Sequence, residues 1–283
     1  MKAAPTPTLA DALRDAQTQG LARLDAQMLL LMALAHDPHD RAWLLAHDGD
    51  VLSPDVASRF RSGVLERLAG VPMAYLTGEQ AFFGLTLQVD RRVLVPRPDT
   101  EILVEWALRL MNDLPAPTQV LDLGTGSGAV ALAMKSQRPV ASVWATDVSE
   151  DALTVARANA ARLGLTVHFA HGSWLDAVPG QRFHLIVSNP PYIAEGDPHL
   201  PALAHEPLRA LTAGMDGLDD IRSVVGGAPS ALHPGGWLLL EHGHDQAKLV
   251  RDLLHAHGFD AVASRNDLAG IARCTGGRWP GRR

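Results

Sequence analysis

Beyond Pro115 and Pro117 the chain alternates between short apolar runs and longer stretches with helical spacing, and no other feature restricts its fold so strongly. Strands are predicted over 120–123, 142–146, 166–170 and 183–187, with helices over 129–135 and 149–163. A strand over 236–241, a helix over 245–257 and a closing strand pair around 261–263 and 271–274 follow. Such alternation builds an α/β, doubly wound, mostly parallel sheet with helices on both faces. That class holds its ligand beyond the carboxyl ends of the strands, so residues 122–128, 147, 172–174 and 188–192 frame any site.

The first 74 residues have a different character. Apolar spacing gives helices over 9–13, 24–34 and 42–46. Ser53 and Pro54 then supply an N-cap and a first-turn proline, and Val56, Phe60, Val64 and Leu68 recur at every fourth position before Gly70. From Tyr75 to Val95 the period shortens: Ala81, Phe82, Phe83, Leu85, Leu87 and Val89 alternate across Gly78 and Gly84 as a β-hairpin would. The predicted organisation is a helical domain over 1–74, a β-hairpin linker over 75–95 and a catalytic domain over 96–283, which a chain of 283 residues can accommodate.

Composition removes several classes. The chain is 47% apolar and 20% charged, unlike a disordered or collagen-like protein. Its single cysteine, Cys274, cannot form an internal disulfide, as suits a reducing compartment. The longest apolar run, Met28 to Ala35, is far shorter than the about 20 residues of a membrane span. The N-terminus lacks the apolar stretch of a secretion signal, so a cytoplasmic location is expected. With 25 Lys and Arg against 31 Asp and Glu, the net charge of −6 weighs against stable nucleic-acid binding. His36 and His39 flank a turn at Asp37-Pro38 without the context of a metal site.

Asp122-Leu-Gly-Thr-Gly-Ser-Gly128 sits where the first strand of the sheet turns into a helix, and glycines there let the backbone approach a ligand. Gly124, Thr125, Gly126, Ser127 and Gly128 are therefore candidate cofactor contacts. Asp147, nineteen residues beyond Gly128, stands at the end of the next strand, where a carboxylate can accept from both ribose hydroxyls. The pair also fits a nicotinamide dinucleotide. Asp122 favours a cationic ligand over a diphosphate if it faces the ligand, and says nothing if it turns to backbone amides.

Ile186-Val-Ser-Asn-Pro-Pro-Tyr192 is the most informative stretch. Consecutive prolines donate no backbone hydrogen bonds and fix their own φ, so the Asn189 side chain and the Pro190 carbonyl are held as rigid acceptors. A planar NH₂ group fits them, with Tyr192 against its flat face and its nitrogen lone pair aimed out of plane at a methyl donor. Placement and electrostatics then carry the rate, and no metal or strong base is called for.

The glycine loop, Asp147 and Asn189-Pro-Pro-Tyr192 together resemble the class I, Rossmann-like methyltransferases that modify amino or amide nitrogens. Tyr75-Leu-Thr-Gly-Glu-Gln-Ala-Phe-Phe-Gly84, Val95-Pro-Arg-Pro-Asp-Thr-Glu101, Glu206-Pro-Leu-Arg-Ala-Leu211, Gly214-Met-Asp-Gly-Leu218 and Asp267-Leu-Ala-Gly-Ile271 narrow the likeness to the peptide chain release factor glutamine methyltransferases, the PrmC or HemK family. The resemblance implies a seven-stranded sheet and transfer of a methyl group from S-adenosyl-L-methionine to the side-chain amide of the glutamine in the Gly-Gly-Gln loop of class I release factors, leaving S-adenosyl-L-homocysteine. It also implies that residues 124–128, Asp147 and Trp174 contact the cofactor, and that Asn189 touches both cofactor and substrate. Asn189, Pro190, Pro191 and Tyr192 would hold the amide, with Asn189, Pro190 and Tyr192 as the catalytic set, and residues 97–101 would close one wall of the pocket.

The sequence departs from the family pattern at Ser173, His242 and Ala272. Ser173 could weaken a contact on the adenine side, while the other two bear on local packing. Three rivals are a nucleic-acid amino-methyltransferase using the same pocket on a flipped base, an NAD-dependent oxidoreductase, and an inactive module that binds a partner through its N-terminal helices. Monomer is the expected state.

Overall fold

The computed structural model describes residues 7–281, so the reading of a missing secretion signal falls in part on residues 1–6, outside the described residues. The chain divides between Glu79 and Gln80 into two compact units.

The first unit contains α1 (Leu9–Thr18), α2 (Arg23–Ala33), α3 (Arg41–Ala46), α4 (Pro54–Leu68) and α5 (Met73–Thr77). Thr8 and Asp11 cap the start of α1 reciprocally, and Ser53 accepts from the Val56 N–H ahead of α4. None of these helices is long enough to stand alone in water. They are held by a shared core in which Leu9, Leu30, Leu31, Phe60 and Val64 are buried. Arg67 on α4 reaches Asp25 on α2 at 2.7 Å and ties the two longest helices together.

The second unit opens with a hairpin, β1 (Glu79–Phe82) and β2 (Leu85–Gln88). Its two-residue turn, Phe83-Gly84, has positive φ at both positions, which matches the right-handed twist of the strands. Phe82 and Leu87 are fully buried in the same core as Leu103, Val104 and Trp106. The hairpin is thus built into the second unit, whereas the sequence pointed to a linker over 75–95. Tyr75 itself lies on α5.

The remaining elements are α6 (Glu101–Leu110), β3 (Gln119–Leu123), α7 (Ala129–Gln137), β4 (Ser142–Asp147), α8 (Glu150–Leu163), β5 (His168–His171), β6 (Phe183–Ser188), α9 (Asp219–Ala231), β7 (Leu232–Glu241), α10 (Ala247–Ala256), β8 (Asp260–Asn266) and β9 (Ala272–Arg278). Seven strands form one sheet in the order β5-β4-β3-β6-β7-β9-β8. Only β9 runs against its neighbours. Both faces are covered: Val120, Leu185 and Leu239 enter one core, Leu121, Ile186 and Leu238 the other. Register sets Leu123 opposite both Thr146 on β4 and Ser188 on β6, so three carboxyl ends stand level at the point where strand order reverses.

Helix α9 escapes sequence reading because Gly226, Gly227 and Pro229 lie within it. Burial of Ile221, Val224, Val225 and Ala228 along one face outweighs that poor propensity. At Gly227 a Cβ would stand 2.7 Å from a terminal methyl of Leu175, so a larger residue there would have to push that side chain aside. β7 begins at Leu232, four residues before its predicted start, and runs through Pro234 and Gly235.

Candidate active site

Four strand ends feed one cavity of about 520 Å³. Gly124 and Gly126 after β3, Asp147 at the end of β4, Trp174 after β5, and Asn189 and Pro191 after β6 all line it. The other predicted positions support it from behind. Thr125 and Ser127 are buried, Pro190 is buried, and Gly128 packs against Leu132 and Ala156. Gly128 has φ +85°, and a Cβ there would meet Leu132 at 3.0 Å, so this glycine serves the turn into α7.

The loop is fastened from within. The Thr125 N–H donates to the Thr146 carbonyl, the Gly128 N–H to the Thr125 carbonyl, and the Gly126 N–H to Asp147 Oδ2, each at 2.9 Å. Three loop amides are therefore committed inside the protein, whereas a diphosphate would need them free. Asp147 Oδ1 accepts from the Ser149 N–H at 2.9 Å. Each carboxylate oxygen keeps a further lone pair for a ligand hydroxyl. Burial raises the pKa of Asp147, and the bonds from Ser149, Gly126 and Val148 oppose that rise.

Asp122 does not face the cavity. It is 1% exposed, and its Oδ2 accepts from Thr125 Oγ1 at 2.6 Å and from the Ala131 N–H at 3.2 Å. Of the two readings of this acid, the structure takes the one without ligand contact: Asp122 braces the loop against the first turn of α7. Burial pushes its pKa up to about 7.

Trp174 has φ +44°, and its ring lies 3.4 Å from where a Gly124 Cβ would be. The Trp174 side chain favours the ionised form of Asp220, in the first turn of α9, whose pKa burial raises. Asp220 also lines the cavity, as do Ser173, Arg91 to Leu94, Pro207 and Arg209. Sequence reasoning missed Asp220, because the helix carrying it was hidden. It also missed Asn159 on α8, fully buried, whose side chain bridges Gln88 of the hairpin and the Ser127 carbonyl.

Residues 97–101 do not line the cavity; residues 91–94 do. The Pro-Arg-Pro-Asp-Thr-Glu segment instead works through separate bonds. Arg97 pairs with buried Glu206, which also accepts from the Val95 N–H at 3.1 Å. Asp99 meets Arg273 at 3.3 Å, and Glu101 accepts from the Phe83 N–H at 2.8 Å in the hairpin turn. Thr100 accepts from Asn189 Nδ2 at 3.1 Å.

Tyr192 is not on the cavity wall. Its hydroxyl lies 3.4 Å from Glu241 Oε1, and burial raises its pKa far above the ordinary phenol. His242, where the family pattern has an apolar residue, is fully buried yet satisfied, with Nδ1 2.9 Å from the Gly243 carbonyl and Nε2 2.7 Å from Thr275 Oγ1. Burial lowers its pKa, and that pair of contacts suits a neutral imidazole with the proton on Nδ1. Arg273, beside Ala272, takes its partners from Asp99 and Asp267.

Comparison with known proteins gives the same picture. The PrmC N-terminal domain model matches residues 8–78, and the methyltransferase small domain model residues 102–212. A release factor glutamine methyltransferase of Xylella fastidiosa is 49% identical, covering 95% of this chain and 98% of its own. One from Pseudomonas aeruginosa is 45% identical over 96% and 99%. A methyltransferase structure from Pyrococcus furiosus, 21% identical with a TM-score of 0.55, covers 77% of this chain and 99% of its own and shares the fold. Among the described residues no helix is long and apolar enough to cross a membrane. With near-half identity along almost the whole length of both chains, this protein belongs to the release factor glutamine methyltransferase family.

Proposed function

We propose that the enzyme transfers a methyl group from S-adenosyl-L-methionine to the side-chain amide nitrogen (N5) of the glutamine in the Gly-Gly-Gln loop of class I release factors. The observation that carries this is the Asn189 side chain, which opens on the same cavity as the glycine loop and Asp147 while its Nδ2 is engaged by Thr100. An acceptor oxygen is thereby left for the substrate.

The residues present fit the cofactor. Gly124 and Gly126 leave room for a ligand against the loop, and Asp147 offers acceptor lone pairs to a ribose. The loop amides, already bonded inside the protein, suit a ligand without phosphate. When bound, S-adenosyl-L-methionine supplies an electrophilic methyl group on a sulfonium. Asn189 Oδ1 and the Pro190 carbonyl accept from the two N–H bonds of the glutamine amide and stabilise positive charge as the nitrogen pyramidalises. The two prolines fix this pair of acceptors before substrate arrives, so little reorganisation is needed at the moment of reaction. Tyr192 contributes from behind the wall, by holding the loop to Glu241, rather than by covering the amide.

The helical unit contributes to recognition of the release factor, the protein acts as a monomer in the cytoplasm, and it forms no stable complex with nucleic acid. Calorimetry separates the cofactor readings: S-adenosylhomocysteine is expected to bind and NADH is not. Peptide mapping after incubation with a release factor is expected to find one added methyl group, on the loop glutamine. Binding of NADH alone, or a methyl group elsewhere, would overturn the proposal.

A further inference from the structure

Gln246, at the N-cap of α10, is 7% exposed, and both ends of its side-chain amide are engaged. Oε1 accepts from the Gly243 N–H at 2.8 Å, while Nε2 donates to the Tyr192 carbonyl at 3.0 Å and lies 3.4 Å from the carbonyls of Asp216 and Gly217. An N–H on one side and three carbonyls on the other admit only this orientation of the amide. Gly217 makes the approach possible: a Cβ there would stand 2.3 Å from the Tyr192 carbonyl oxygen and 2.9 Å from Nε2. One side chain at the head of α10 thus joins the loop after β6 to the turn before α9, and nothing in the chemistry above uses it.

We propose that Gln246 is a positioning residue that sets the place of the Pro190 carbonyl by holding the far end of the Asn-Pro-Pro-Tyr loop. The inference rests on the proposed role of Asn189 and Pro190 as amide acceptors. At the near end Ser188 is fully buried in β6, where its Oγ donates to the Leu123 carbonyl at 2.7 Å. At the far end Gln246 holds the Tyr192 carbonyl. Pro190 and Pro191, between these ends, have no N–H with which to tie themselves down, and each fixes its own φ. A stiff segment with so few bonds of its own takes its position from its ends, so a shift at Tyr192 passes to the Pro190 carbonyl.

The donor end of Gln246 carries this role. Ile193, the next residue, donates to the Leu211 carbonyl at 2.9 Å and accepts from the Ala213 N–H at 3.0 Å, so the chain beyond Tyr192 is tied to the same turn that Gln246 meets at Asp216 and Gly217. Without Nε2, three carbonyls would face one another with no proton between them, and their repulsion would move the loop. The charged and titratable groups around this position are Asp245 beside it, Asp216 paired with Arg222, and the buried His242 and Tyr192, both kept neutral by burial.

The test is steady-state methylation of a purified release factor by the full-length enzyme, with kcat expressed per site that binds S-adenosylhomocysteine. Gln246→Met keeps the length of the side chain and removes both bonds, and should lower kcat about ten- to a hundredfold, as a misplacement of about 1 Å does. Affinity for S-adenosylhomocysteine and KM for the release factor should stay within about threefold, because Gly124, Gly126 and Asp147 lie on other loops. Gln246→Glu isolates the donor: it keeps an acceptor for Gly243, and only its protonated form can donate to the Tyr192 carbonyl. Burial among carbonyls raises the pKa of such a carboxyl, so the ratio of its kcat to that of the unmodified enzyme should climb as pH is lowered from about 8.5 to about 6. A residue that merely stabilised the fold would leave kcat per binding site unchanged and that ratio flat. Unchanged kcat per site in Gln246→Met overturns the inference, as does a Gln246→Glu ratio that does not move with pH. If Gln246→Met loses the fold, judged by S-adenosylhomocysteine binding, the Gln246→Glu profile decides. Absence of methylation by the unmodified enzyme would overturn the function on which this rests, an outcome distinct from the others.

Discussion

Replacing Asp122 by Asn separates a brace from a ligand contact. The side chain is 1% exposed, off the cavity wall, and fastened to Thr125 and Ala131. Its pKa rises from the ordinary 3.8 to about 7, chiefly through burial, with Asp147 adding to the rise. A raised folded-state pKa contributes stability that is complete below the unfolded value and is lost as pH rises through the folded one. Between pH 4 and 7 the folded state keeps a proton that the unfolded state has released, so stability falls by about 1.4 kcal/mol per pH unit and levels off above 7. From 3.8 to about 7 this amounts to about 4 kcal/mol. Asp122→Asn has the same shape and no titration, so its stability relative to the unmodified enzyme should climb steadily from pH 4 to 7 and then hold. The contributions of Glu241 and His242 are common to both proteins and cancel in the difference. Urea unfolding at a series of pH values measures this, and calorimetry should find S-adenosylhomocysteine affinity within about threefold, since the fall of one bracing charge changes no cavity contact. A pH-independent stability difference, with cofactor affinity lost more than tenfold, would refute the reasoning and put Asp122 in the ligand site.

Other consequences follow from the same geometry. Asn189→Ala should abolish turnover while the fold and much of the S-adenosylhomocysteine affinity persist, read by methylation kinetics and calorimetry; retained turnover would contradict the role given to Asn189. Gly128→Ala should destabilise the protein by about 2–3 kcal/mol in denaturant, combining the left-handed backbone penalty with the crowding of Leu132. Arg97→Ala leaves Glu206 buried without its cation and should cost about 1–3 kcal/mol, the lower part of the range reflecting the exposed side of Arg97. A chain starting at Gln80 should still bind S-adenosylhomocysteine but methylate release factor much more slowly, and undiminished methylation would show that the helical unit takes no part in recognition.

Much of the catalytic unit was legible because its strands and helices differ in hydrophobic period. β3, β4 and β6 begin and end within a residue of expectation, and the residues at their carboxyl ends meet at one cavity. The failures have physical causes. α9 was hidden because two glycines and a proline contradict helix propensity, and only tertiary burial of its apolar face reveals it. With it went Asp220, which lines the cavity together with Trp174. The hairpin read as a linker because period alone shows strands but not what buries Phe82 and Leu87. Side-chain direction was the other limit: Asp122 and Tyr192 stand at the expected positions in the chain, yet both turn away from the cavity to buried partners. Thr100 and Glu241, 141 positions apart, join Asn189 and Tyr192 only once the sheet is assembled.

The most direct test of the central claim is transfer of a labelled methyl group from S-adenosyl-L-methionine by the purified enzyme to three acceptors: a class I release factor, the same factor with its loop glutamine changed to alanine, and duplex DNA. Label should enter the unaltered release factor alone. Label on DNA, or label that survives the change to alanine, would contradict the assignment.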